Sequence, residues 1–357
     1  MKSSPTERIY RYRLQESALL AYKEMNCMEW VGGVKDCCKF APAGAFYFGV
    51  LQDGSVGLFG LNKCHRRSSC PVCAIGRDVE DLNRIQYAIH EARKRHWGVY
   101  LVTFTFSHCL ADTLDDLQAR YSWANEQMYR NGSYRKDLKY CLGYHGRITD
   151  YEVQLCGENG YHPHRHELFF CEEGLELDFF EWIIRQYYLK ALSESGLSAR
   201  ENIGVKVDGY QGVGNYITKM SAEITLGNHT KESWDGSSLS PFRCLQMWHE
   251  TGEKFYASWW CDYVVHIRGK RKLGWSRGLK DLLGVREFVD ELTSDNVLYH
   301  PFIIIPGRDS RRFPLWKWRE MSEEINGRCY EDVLEELNRI QILYDVDENG
   351  LKIYEEW

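Results

Sequence analysis

The sequence predicts an α+β protein, a central antiparallel sheet with helices packed on it. Segments rich in β-branched and aromatic residues alternate with longer amphipathic segments of helical period. Two of the strand-like segments, 142–155 and 161–170, are separated only by a turn built on Gly157-Glu158-Asn159-Gly160. So short a link joins antiparallel neighbours, because a parallel pair needs a long crossover. No internal repeat or low-complexity tract argues for a solenoid or a disordered chain.

The elements follow in order. Residues 14–26 read as a short helix before a turn containing Gly and Cys. AFYFGVLQDGSVGLFGL (45–61) reads as a hairpin around Asp53-Gly54. Residues 77–95 form a helix whose last turn is basic, which suits the helix dipole. WGVYLVTFTFSH (97–108) is a buried strand, and 113–131 a helix that Asn131-Gly132 would stop. After the two hairpin strands come a helix over 177–195, a strand over 202–208 and a helix over 215–225. A polar loop then leads into segments rich in Trp and basic residues. Three regions result: an N-terminal Cys-containing region (1–95), a core (96–226) and a mainly helical C-terminal region (227–357) that ends in an acidic tail. Within that tail, Val333, Leu334, Leu337, Ile340, Leu343 and Tyr344 fall at helical spacing.

The charge is unevenly placed. The 357 residues carry a net charge of −6. Residues 320–357 hold twelve acids against three bases, so residues 1–319 are net positive. A nucleic-acid partner is therefore compatible with an acidic overall composition. No apolar run is long enough to span a membrane, and the first fifteen residues have no apolar stretch, so no membrane partner and a cytoplasmic location are expected. Thirteen cysteines without an export signal point to thiols or metal ligands rather than to disulfides.

Four constellations carry chemistry. In His162-Pro163-His164-Arg165-His166, His164 and His166 are two apart on a strand and so share a face. Imidazoles of this kind bind divalent ions, and Glu152 on the preceding strand is the natural third ligand. Second, Tyr216, Lys219 and Glu223 share one face of a helix. A Tyr beside a cation and a metal is a nucleophile towards phosphorus, although a Tyr at this spacing is ordinarily core. Third, Cys64, Cys70 and Cys73 contain a C-x2-C knuckle suited to zinc. Cys38 is taken as the fourth ligand, with Cys37 and His65 as alternatives. Fourth, Arg268, Lys270, Arg271, Lys272 and Arg277, with Trp275 interleaved, suit a phosphate backbone, as do Arg66 and Arg67.

Taken in order, the CPVC knuckle, the strand Thr103-Phe104-Thr105-Phe106, the His-Pro-His-Arg-His run and Tyr216-x-x-Lys219 resemble the HUH-type replication initiator (Rep) proteins of rolling-circle plasmids and phages. Supporting segments are Ser240-Pro241-Phe242 and Gly269-Lys270-Arg271-Lys272-Leu273-Gly274-Trp275-Ser276. The resemblance covers about residues 37–284. It implies an HUH endonuclease-like core in which His164 and His166, assisted by Glu152, bind catalytic Mn²⁺ or Mg²⁺. Tyr216 would attack a phosphodiester of single-stranded origin DNA, giving a 5′-phosphotyrosyl link and a free 3′-OH primer. Lys219 would orient the phosphate. Structural Zn²⁺ would sit in the Cys cluster.

Two positions depart from the family pattern. Arg165 stands where a hydrophobic residue is usual, and should point away from the metal. Gly212 stands where some initiators place a Glu that serves termination, leaving Glu223 as its stand-in. No GxxxxGK[ST] motif occurs, so unwinding would fall to a host helicase and extension to a host polymerase. An HUH-class transposase or relaxase, a metal phosphodiesterase that uses water, and a non-catalytic zinc DNA-binding protein are the alternatives.

Overall fold

The computed structural model describes residues 5–50, 56–157, 159–225, 238–286, 300–306, 344–346 and 352–354. The chain divides into two compact units, 1–78 with 289–357, and 79–288. Among the described residues, no helix is long and apolar enough to cross a membrane.

The first unit contains α1 (Pro5–Glu24), β1 (Ala45–Val50) and β2 (Val56–Phe59). α1 begins well before the expected 14–26. The start of α2 (Pro71–Lys94) also falls in this unit, and the division lies within that helix. Proline at the first helical position has no N–H to leave unpaired and its φ is already helical, so α2 starts at Pro71 rather than near 77. The expected mainly helical C-terminal region holds helices over Pro241–Thr251, Lys254–Ile267 and Leu279–Leu282, and also strands that were not expected there. His300–Pro306 is a strand, as are Tyr344–Val346 and Lys352–Tyr354, which become β9, β10 and β11 below. They join the N-terminal hairpin in a five-stranded sheet. The run His-Pro-Phe-Ile-Ile-Ile-Pro is β-branched between two prolines, a strand composition. Phe46 and Phe48 are fully buried in this sheet. Most of the expected amphipathic helix at 330–344 lies outside the described residues.

The second unit carries β3 (Trp97–Phe104), α3 (Leu114–Arg130), α4 (Gly132–Tyr140), β4 (Gly146–Cys156), β5 (Gly160–Glu172), α5 (Leu177–Glu194), β6 (Val205–Asp208) and α6 (Tyr210–Thr225). It continues through β7 (Ser238–Leu239), α7 (Pro241–Thr251), α8 (Lys254–Ile267), β8 (Leu273–Trp275) and α9 (Leu279–Leu282). β9, β10 and β11 complete the chain order. The second unit's sheet runs β6-β3-β5-β4-β7, with β8 also on β4, and every pairing is antiparallel. Helices pack on it as expected. Asn131 does more than end α3: its side chain accepts from the amides of Ser133 and Tyr134 and so caps α4, a helix the sequence reading did not anticipate.

The two faces of this sheet differ. Leu101, Ile148, Leu168 and Phe170 meet Ile85, Ala88, Val213, Tyr216 and Leu279 in one core. On the other face Phe104 packs edge-on to Tyr188, and Phe169 edge-on to Phe180, both from α5. Strand alternation sorts the long hairpin between these environments, even residues of β5 facing α6 and odd residues facing α5.

Candidate metal centre and nucleophile

β4 and β5 pair along their whole length, with Glu152 opposite His164 and Asp150 opposite His166. The even-numbered side chains of both strands therefore converge. Glu152 Oε2 lies 3.0 Å from His164 Nε2 and 3.9 Å from His166 Nε2. One ligand atom from each of Glu152, His164 and His166 lies within 4.8 Å of the others. Neighbouring groups orient the imidazoles. His164 Nδ1 lies 3.3 Å from the His162 carbonyl, and His166 Nδ1 lies 3.0 Å from Thr103 Oγ1. The His162 carbonyl and the Glu152 carboxylate both only accept, so with an ion held by Glu152 and His164 the Nδ1 hydrogen would be kept by the carbonyl and the Nε2 lone pair would be free for the ion. This is the arrangement by which outer partners prepare imidazoles for a metal. The donor set, two imidazoles and one carboxylate, fits a divalent ion with positions left for water and substrate oxygens.

His162 lies at the end of this row, next to His108. Burial first, then His164 and His108, hold its pKa down to about 3. In the sequence Thr103 stands out only as part of a strand motif and His108 only as the end of the 97–108 segment, neither with a role at the site. Thr103 follows from the register, being opposite His166 on β3. His108 lies beyond the end of β3, where spacing gives no signal.

Tyr216 projects from α6 against His166, with ring centroids 5.5 Å apart. It is 5% exposed and belongs to the core cluster. Its hydroxyl donates to Asp150 Oδ2 at 2.9 Å. Lys219 and Glu223 lie on the same helix, but their side chains are outside the described residues. At Gly212, one turn before Tyr216, an added Cβ would fall 2.2 Å from Asp208 Cβ and 3.0 Å from its Cγ. A larger residue is excluded there without movement of β6 or α6. Gly to Ala within a helix ordinarily stabilises by about 0.5–1 kcal/mol. Here the clash outweighs that gain, and Gly212→Ala is expected to lower stability by about 1–3 kcal/mol. A higher melting temperature for the variant would refute this.

Arg165 points away from the histidines. It is buried on the opposite face, its Nε 2.9 Å from Glu167 Oε1 and its guanidinium 4.9 Å from the centre of the Phe104 ring.

In the first unit the thiols of Cys37, Cys64, Cys70 and Cys73 form a second group within 4.8 Å. Cys37 Sγ lies 3.5 Å from Cys73 Sγ and 3.8 Å from Cys70 Sγ, and Cys64 Sγ lies 3.6 Å from Cys73 Sγ. Tetrahedral zinc with Zn–S of about 2.3 Å sets its sulfurs about 3.8 Å apart, so the spacing fits the ion. This corrects the expected set, with Cys37 in the place of Cys38. Cys38 has a positive φ of 58° and its amide donates to the Asn62 carbonyl. Its thiol reaches Cys37 Sγ at 3.8 Å but falls outside the group of four. His65 is exposed, 3.5 Å from Arg77, and is not among them. Hydrogen bonds from Cys38 first, then from Cys64, Cys70 and Cys73, pull the Cys37 thiol far below its ordinary range. A thiolate shared by its neighbours is chemistry that a cation resolves.

The basic residues divide. β8 pairs with β4 so that Leu273 sits opposite Asp150, which brings the segment 268–277 to the edge of the site strand. Arg268, Arg271 and Arg277 are exposed there and Lys272 is half-buried. Lys270 Nζ lies 3.1 Å from His266 Nδ1. In the other unit Arg66 is exposed with its guanidinium beside Gly32, while Arg67 pairs with the buried Asp78 at 2.5 Å.

The chain is similar to a protein named Protein rep from Streptomyces lividans, 24% identical over 312 aligned positions covering 68% of each chain. It is also similar to a Neomycin resistance protein from Streptomyces cyanogenus, 27% identical over 152 positions that cover 36% of this chain and 34% of that one. No family profile matches the chain, and no solved structure does. The resemblance to Rep proteins read from the motifs is thus met by a Rep-named relative along most of the chain.

Proposed function

We propose that this protein is a rolling-circle replication initiator with an HUH endonuclease-like core, which nicks and rejoins single-stranded origin DNA. The observation that carries this reading is the Glu152, His164 and His166 group beside Tyr216. These three residues would hold the catalytic ion. When bound, a divalent metal supplies positive charge to the non-bridging oxygens of the scissile phosphate.

The chain's own groups account for the remainder. The Tyr216 oxygen forms a bond to phosphorus as the bond from phosphorus to the 3′ oxygen breaks. The phenol gives up its proton to water and the departing oxygen takes one up from water, ending as the 3′-OH primer. One phosphoester replaces another, so no nucleotide hydrolysis is needed. Lys219 orients the phosphate and Glu223 serves the terminating step. Arg66, Arg67, Arg268, Lys270, Arg271, Lys272 and Arg277 are assigned to DNA. Zinc in the Cys cluster is structural, a host helicase and polymerase act downstream, and the protein works in the cytoplasm. A transposase or relaxase would share the same chemistry.

The 5% exposure of Tyr216 favours one other reading, a phosphodiesterase that uses water. The two are separated by incubating labelled single-stranded oligonucleotides, tiled across the DNA that flanks the coding sequence, with Mn²⁺ and resolving the products on a denaturing gel. A covalent adduct with the wild-type chain and none with Tyr216→Phe is expected, because the phenylalanine ring has no oxygen to bond to phosphorus. Equal cleavage by both, without adduct, would establish the water mechanism instead.

A further inference from the structure

We propose that Asp150 is the positioning residue for the nucleophile, holding the Tyr216 hydroxyl beside the metal-binding histidines. This deepens the reading of Tyr216 as nucleophile and rests on it.

Asp150 and Glu152 are two apart on β4, so their carboxylates share a face. Both lie opposite a histidine, Asp150 beside His166 and Glu152 beside His164. They nevertheless do different things. Glu152 turns to the histidines and completes the three-residue group, from which Asp150 is absent. Asp150 accepts instead from the Tyr216 hydroxyl at 2.9 Å. Both members of that pair are buried, at 4% and 5% exposure. Carboxylates are seldom kept so deep unless a hydrogen bond replaces the water they lose.

The contact also completes the restraint on the phenol. The apolar core around Val213 and Ile148 holds the ring. Packing alone leaves the hydroxyl free to slide along the ring axis or tilt. A hydrogen bond to the strand that bears Glu152 ties the hydroxyl to the same rigid element as the ligands. Nucleophile and ligands then keep a fixed separation, and displacement of a reacting group by about 1 Å costs about 10²-fold in rate.

The test is single-turnover adduct formation on the tiled oligonucleotides, at saturating DNA and over a Mn²⁺ titration, with Asp150→Ala, Asp150→Asn and Tyr216→Phe. Thermal melts report folding. Asp150→Ala is expected to slow the step by about 10²-fold, with half-saturating Mn²⁺ and DNA affinity within about twofold of wild type. Asp150→Asn keeps a carbonyl acceptor and should restore the rate to within about tenfold of wild type. If Asp150→Ala does not fold, Asp150→Asn with an undiminished Mn²⁺ response still supports the proposal.

An unchanged rate in Asp150→Ala overturns it. So does a large rise in half-saturating Mn²⁺ for either variant, which would make Asp150 a ligand. Asp150→Asn as slow as a well-folded Asp150→Ala would make the charge, not the position, what matters, and also overturns it. An adduct that persists in Tyr216→Phe instead removes the nucleophile reading itself, whatever the Asp150 variants do.

Discussion

Replacing Glu167 with alanine is expected to lower the stability of the 79–288 unit by about 3–5 kcal/mol. Glu167 is fully buried on the face of β5 away from the histidines. Its two oxygens serve two cations: Arg165 Nε at 2.9 Å from Oε1 and Arg147 Nε at 3.2 Å from Oε2. Thr149 donates to Oε1 at 3.2 Å, and the Tyr129 hydroxyl donates to Oε2. The second positive charge is not matched by another acid in this group. It is met by aromatic faces, with the Arg147 guanidinium 3.4 Å from the Tyr129 ring centre. Such contacts stabilise a cation by about 0.5–2 kcal/mol, too little to replace a carboxylate. Without Glu167, two half-buried or buried guanidiniums face each other with no counter-charge. At about 2–4 °C per kcal/mol for a unit of this size, the melting temperature should fall by about 6–20 °C. Glu167→Gln should fall in between, because it keeps the volume and the acceptor. A shift below about 2 °C for Glu167→Ala would mean that water or rearrangement satisfies both arginines.

Cys37→Ser is expected to remove bound metal while Cys38→Ser leaves it in place. Wild-type protein purified with zinc should hold about one ion per chain in the Cys cluster, read by elemental analysis after the weaker histidine site is stripped with mild chelator. Four-thiolate zinc contributes about 10–16 kcal/mol to the folding of small zinc modules. Losing one ligand should therefore destabilise the 1–78 and 289–357 unit well beyond the effect of a serine in an ordinary core. Proteolysis of this unit after chelation is the second readout. Metal retained by Cys37→Ser but lost from Cys38→Ser would return Cys38 to the ligand set.

Much of the site follows from period-two alternation and a short turn. Those two facts place His164, His166 and Glu152 together and send Arg165 to the other face. The Cys knuckle was legible too, but the choice between two consecutive cysteines was not. It depends on the left-handed backbone at Cys38, which a sequence of ordinary residues does not announce. Asp150 gives no signal as a lone acid in a strand. Only the register opposite His166, together with the packing of α6, reveals its place. The C-terminal strands were not legible in the same way: the region carries helices over Pro241–Thr251 and Lys254–Ile267 and an amphipathic pattern near 330–344, and the strands between and after them are short. The β-branched run at 300–306 was a local signal of one strand, but its partner strand is at the other end of the sequence.

That distance has a consequence for synthesis. Ala45 pairs with Pro306, with some 260 residues between them. At about 5–20 residues per second, β1 emerges from the ribosome tens of seconds before β9 exists. Through that interval the edge that β9 later covers presents unpaired amides and carbonyls, a template for pairing with another nascent chain. The 79–288 unit is contiguous and needs nothing made after it. The order of translation therefore lets the 79–288 unit fold first and leaves the open edge of β1 waiting for a strand made much later.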